Sequence, residues 1–158
     1  MTAKPKSIPV TSLKRTGGQA PVFDLPVSFP SIRGTVSFTL TCKALGKKEW
    51  SKARDARQAE ALEFLRASAG EAAQPQDEPT GDRIDAALAD LATKGMEAAV
   101  RAGDERTADT VLVFATGWDI DEEFGRDGLV ALEDEYGGAL AACLRAYDDA
   151  IYRGVLGN

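Results

Sequence analysis

Hydrophobic and polar positions alternate strictly over two short stretches near the start of the chain. Phe23, Leu25, Val27 and Phe29 are separated by Asp24, Pro26 and Ser28. Val36, Phe38, Leu40 and Cys42 are separated by Ser37, Thr39 and Thr41, with Thr35 before them. A strict period of two, with β-branched threonines among the polar partners of the second stretch, predicts a half-buried antiparallel strand pair. The connection Pro30-Ser31-Ile32-Arg33-Gly34 has hairpin length. Pro26 has no N–H to donate, which predicts that the first strand lies at a sheet edge.

From Lys48 the period lengthens. Trp50, Ala53, Ala61, Phe64 and Leu65 fall on one side of a helix that ends before Ser68-Ala69-Gly70. A second helix is predicted from about Asp82 to Ala102, with Ile84, Leu88, Leu91 and Met96 as its apolar stripe and Gly103 as its C-terminal stop. Between Thr107 and Trp118 the pattern has two readings. Ala108, Val111, Leu112 and Ala115 stand at helical spacing, while Val111–Phe114 also fits a buried strand. Asp104 and Glu105 suit a helix N-terminus and favour the helix, which Gly117 would end. A short helix follows from Arg126 to Tyr136 and presents Leu129, Leu132 and Tyr136. After Gly137-Gly138, a last helix carries Leu140, Cys143, Leu144, Tyr147 and Ile151 on one stripe and stops at Gly154.

The expected organisation is a disordered basic arm (1–20), a hairpin plus helix (21–67), a flexible linker rich in Pro, Gln and acids (68–81), and a helical region (82–158). The fold class is α+β, an N-terminal antiparallel β-hairpin packed on a mainly α-helical C-terminal part.

Composition narrows the chemistry. The 158 residues contain no histidine, which removes the usual general base near neutral pH and the commonest zinc ligand. Cys42 and Cys143 are far apart in sequence and each lies on an apolar face, so they read as small buried hydrophobes. The glycines form neither a GxxxxGK[ST] nor a GxGxxG phosphate cradle. No apolar run reaches the roughly 20 residues needed to span a bilayer, and the first 20 residues lack a signal-peptide core. Charge is uneven. Residues 1–57 carry 11 Lys/Arg and 3 Asp/Glu, a balance of +8; residues 58–158 carry 8 and 22, a balance of −14. The basic residues are dispersed and lack interleaved aromatics, so no nucleic-acid partner is expected. The asymmetry fits an interaction tail or electrostatic pairing between subunits.

The acidic block Gly117-Trp118-Asp119-Ile120-Asp121-Glu122-Glu123-Phe124 admits three chemical readings. As a calcium loop it fails twice, because Phe124 stands where the turn glycine belongs and Val130 where the bidentate acid belongs. Catalytic carboxylates converge from separate elements rather than from one run. The remaining reading is a solvated loop whose ends are anchored by Trp118 and Phe124 and whose carboxylates cap the next helix. No catalytic residue, metal site or cofactor is therefore expected, and the protein is read as a non-enzyme.

The segment Val111–Asn158 resembles the tail assembly chaperones of siphophages and related prophages. The resemblance is carried by Gly117-Trp118-Asp119 followed by acids and Phe124, the Leu129/Leu132 helix leading to Tyr136, the glycine break, the helix containing Ala146-Tyr147, and the terminus Gly154-Val155-Leu156-Gly157-Asn158. Gly137 stands where the family commonly has proline. More loosely, the hairpin and Lys47-Lys48-Glu49-Trp50 extend the likeness to residues 20–158. The resemblance implies a protein that binds the tape-measure protein before the tail tube polymerises around it. It also implies action in the bacterial host cytoplasm, absence from the mature virion, and a gene often read through a programmed frameshift. The tail tube protein and a second copy of the chain are further expected partners; no membrane is. Helix-in-groove recognition would place the client against Trp118, Phe124, Leu129, Leu132, Tyr136, Leu140, Leu144, Tyr147 and Ile151. The competing reading is a structural or adaptor phage protein of the tail-completion or head–tail connector type.

Overall fold

The structure, a computed structural model, describes residues 18–68, 89, 92 and 95–156. Most of the predicted arm, the predicted linker, and the stripe residues Ile84, Leu88 and Leu91 lie outside the described residues.

Strands β1 (Val22–Ser31) and β2 (Gly34–Lys43) form the predicted hairpin. Its register pairs Phe23 with Cys42, Leu25 with Leu40, Val27 with Phe38 and Phe29 with Val36, so both alternations share one face. Leu25, Val27, Leu40 and Cys42 are at most 1% exposed. Ser31 pairs with Gly34, so only Ile32 and Arg33 form the turn. Gly34 follows with φ +122°, a conformation that favours glycine. β1 is an edge strand, as Pro26 predicts.

α1 (Lys47–Ser68) begins where predicted. The Glu49 carboxylate reaches back to accept the Gly46 N–H at 3.4 Å, half of a capping box. α2 (Met96–Val111) differs from expectation, because it runs straight through Gly103. A mid-helix glycine costs only about 1 kcal/mol, and burial of Ala108 and Val111 at the far end of α2 offsets that. The expected helix to Gly117 is also corrected. After a turn over residues 112–114, Ala115–Trp118 forms strand β3, antiparallel to β2, with Leu40 opposite Trp118 and Thr41 opposite Gly117. The sheet therefore has three strands in the order β1-β2-β3. Pairing between positions about 75 residues apart in sequence leaves no local periodicity to read.

α3 (Arg126–Glu135) and α4 (Ala139–Asp148) follow, and a π-helical turn, Asp149–Arg153, ends α4 at Gly154. α4 packs on β1, α2 and α3, and places Ala139, Leu140, Ala142, Cys143 and Tyr147 in the core. The architecture is α+β, a small antiparallel sheet against helices.

Candidate partner-binding surface

Tyr147 organises the core. Its ring stacks on Phe114 with centroids 3.8 Å apart and meets Trp50 edge-on at 5.0 Å. Trp50 and Phe114 form a second edge contact at 5.2 Å. The polar ends of these rings are satisfied. The Tyr147 hydroxyl donates to the Lys43 carbonyl at 2.6 Å and accepts the Leu45 N–H at 3.1 Å. Trp50 Nε1 donates to Asp148 Oδ1 at 2.8 Å, and Arg54 holds the other Asp148 oxygen at 2.5 Å. Three elements distant in sequence are thereby tied together, with no buried polar side-chain atom left unpaired among the described residues.

Cys42 and Cys143 are both buried and free. Burial pushes each thiol from an ordinary value near 9.0 up to about 12, with Asp24 adding to the effect at Cys42. Neither carries thiolate chemistry at neutral pH.

The acidic loop is structural. Asp119 Oδ1 accepts the Thr39 N–H at 2.8 Å, while the Asp119 N–H donates to the Thr39 carbonyl at 3.1 Å, which extends the β2–β3 ladder by one position. Trp118 and Phe124 are half-buried and meet edge-on at 5.2 Å, and Trp118 Nε1 donates to the Glu122 carbonyl at 2.7 Å. A Cβ on Gly128 would lie 2.5 Å from the Glu123 carbonyl oxygen and 3.1 Å from the Trp118 ring. Glycine is therefore required for α3 to approach the loop. The expected capping of α3 by the loop's carboxylates does not occur. Gly125 is the N-cap, with no side-chain cap bond. Glu133 instead caps the next helix: its two oxygens accept the Gly138 and Leu140 N–H groups at 2.7 Å each, at the start of α4. Among the described residues no cluster of three or more acids or cysteines could hold a metal ion.

The nine expected partner-binding residues do not line one groove. Leu129, Leu140 and Tyr147 are at most 2% exposed and form core. Trp118 and Phe124 hold the acidic loop. Leu132 and Tyr136 flank a groove of ≈ 480 Å³ beside the β2 residues Thr35–Phe38, joined there by Ile120. Leu144 floors a separate groove between α1 and α2, walled by Arg54, Arg57 and Arg106. Ile151 is half-buried on the π-helical turn.

A third groove, between α2 and α3, contains two residues that the sequence pattern did not assign to a partner. Met96 and Val100 are 65% and 55% exposed and stand beside Val130 and Ala131, with Glu97, Asp104, Asp127 and Asp134 around them. Partial burial, then the like charges of Glu133 and Asp134, pushes the Asp104 carboxyl above its ordinary value. A sequence signal exists, since apolar Met96 and Val100 are four apart. It is obscured because the expected end at Gly103 cuts their helix off from α3.

A family model described as phage tail assembly chaperone matches residues 10–158. No curated protein and no solved structure matches the chain.

Proposed function

Because this chain belongs to the phage tail assembly chaperone family, we propose that it binds the tape-measure protein and keeps it soluble while the tail is assembled in the bacterial host cytoplasm, and that it is absent from the finished virion. The family match over residues 10–158 carries this reading. The family's role is non-catalytic, and no described helix is long and apolar enough to cross a membrane.

Physical chemistry supports it. A long helical client with apolar stripes aggregates when left uncovered. A protein that holds such a client and later releases it needs shallow apolar ground set in charge. The grooves at Leu144 and at Met96 and Val100 are open and ringed by charged residues, and the groove at Leu132 and Tyr136 is open with Arg33 at its rim. In this reading the exposed parts of Trp118, Phe124, Leu132, Tyr136, Leu144 and Ile151 touch the client, while Leu129, Leu140 and Tyr147 hold them from beneath. The tail tube protein is a second client, and the oppositely charged halves of neighbouring copies attract in self-association.

The test is co-expression with the tape-measure protein encoded in the same tail gene cluster. The soluble fraction of that protein is expected to rise, and the two are expected to co-purify. A tape-measure protein equally insoluble with and without this chain overturns the reading. Single changes Asp121→Asn or Glu123→Gln are expected to leave the effect intact.

A further inference from the structure

The two free edges of the sheet are treated differently. Alternate residues of an antiparallel strand point their backbone polar groups to opposite edges. The Ala44 N–H donates to the Pro21 carbonyl, and the Asp119 N–H donates to the Thr39 carbonyl. Even-numbered β2 residues therefore bond towards β1, and odd-numbered ones face the β3 side. In register, Pro26 lies opposite Thr39, Ser28 opposite Ser37, and Pro30 opposite Thr35. The even-numbered β1 residues thus face the outer edge, and two of them are prolines with no N–H to offer. Proline on an exposed edge is a standard guard against unwanted strand addition.

The other edge has no such guard. β3 pairs only with Leu40–Cys42, and Asp119 takes Thr39. Thr35 and Ser37 are exposed and direct their N–H and C=O groups to the β3 side, where no described residue bonds them. The ≈ 480 Å³ groove runs along this stretch, with Ile120, Leu132 and Tyr136 beside it.

We propose that the free edge of β2 at Thr35 and Ser37 receives a short extended segment of the client polypeptide as an added strand, in line with β3, with Ile120, Leu132 and Tyr136 receiving its alternate apolar side chains. This rests on the reading that a tail protein is the client. Main-chain groups specify an extended occupant, since a helix has already spent its own. Gly34–Phe38 spans about 17 Å at roughly 3.4 Å per residue, room for about five residues before Asp119 closes the slot. A second copy fits less well. Pairing the same edges about a two-fold axis would bring together two copies of α3, each carrying four acids and one arginine.

The register supplies the experiment. Ser37→Pro removes the donor from the proposed site, and Ser28→Pro makes the same change directly opposite, on the guarded edge. Both full-length variants are titrated with overlapping peptides spanning the tape-measure protein of the same gene cluster, with fluorescence anisotropy as the readout. Ser37→Pro is expected to weaken the best-binding peptide about tenfold, the loss of the one hydrogen bond that its N–H would donate, and Ser28→Pro to leave it unchanged. Hydrogen exchange on the parent protein guards against a misfolded variant, because peptide is expected to slow the Thr35 and Ser37 amides. Equal binding by all three proteins, equal loss in both variants, or no slowing of those amides overturns the inference while leaving the chaperone reading intact. A parent that binds no tape-measure peptide and does not raise the solubility of the co-expressed protein overturns that underlying reading instead. A parent dimer that Ser37→Pro converts to monomer assigns the edge to a second copy and overturns the inference too.

Discussion

Around Tyr147 every ring face is covered and every buried polar side-chain atom has a partner, whereas along α2 Met96 and Val100 stand in solvent beside carboxylates that repel one another. Both regions draw on α-helices with apolar positions three and four apart. What differs is the number of elements that converge. Trp50 comes from α1, Phe114 from the turn before β3, Tyr147 from α4, and Lys43 and Leu45 from the end of β2 and just beyond it. At Met96, among the described residues, α2 and α3 meet. A hub closed from several sides concentrates stability at one end of the fold. The open grooves carry less of that stability, because fewer described elements converge on them.

If that division is right, substitutions should sort by region. Tyr147→Ala removes a fully buried ring and two hydrogen bonds, and is expected to destabilise by about 3–5 kcal/mol in urea unfolding. A variant that unfolds with the parent's midpoint would break the comparison at its stronger pole.

Gly128→Ala is expected to cost about 1–3 kcal/mol, because a methyl group must displace a backbone carbonyl rather than a flexible side chain. It should also perturb the fluorescence of Trp118 before that of Trp50. An unchanged spectrum would mean that the acidic loop does not depend on this close approach.

The cysteines sharpen the comparison through pH. Both thiols ionise only near pH 12 in the folded state, because burial favours the neutral form, against about 9.0 when unfolded. Their contribution is therefore complete below about pH 9 and is lost as pH rises from there towards 12. The parent is expected to lose stability between pH 8 and 10.5 faster than the double variant Cys42→Ala, Cys143→Ala. Parallel stability–pH curves would show that the thiols are not sealed.

The smallest effect belongs to the open face. Val100→Ser is expected to change stability by less than about 0.5 kcal/mol. A loss as large as that of Gly128→Ala would show that the α2–α3 groove is closed rather than open.

Several elements are legible in the order of residues along the chain. The hairpin carries its register in Phe23, Leu25, Val27 and Phe29 against Val36, Phe38, Leu40 and Cys42, because side-chain period and face are one property in a strand. The stripe Leu140, Cys143, Leu144, Tyr147 and Ile151 and the stop at Gly154 delimit α4 and its π-helical turn as expected. Gly103 misleads for a specific reason. A glycine ends a helix only if the chain gains by turning there, and here Ala108 and Val111 gain more by continuing inward. The candidate surface is less legible than the fold. Leu129, Leu140 and Tyr147 carry the same apolar signature as Leu132, Tyr136 and Leu144, and only packing separates covered residues from open ones.

The sequence by itself determined the hairpin, the start of α1 and the last two helices, the inward faces of the hairpin and last helix, the absence of histidine chemistry, and the likeness to a chaperone family. Each of these depends on residues close together in the chain or on composition. The tertiary structure alone decided that Ala115–Trp118 would become a third strand, that Glu133 would cap α4, and that β2 would keep one edge unpaired at Thr35 and Ser37 among the described residues. Those outcomes depend on which distant segments reach the same place, and hydrogen-bonding groups are identical along every backbone until a neighbour arrives to use them.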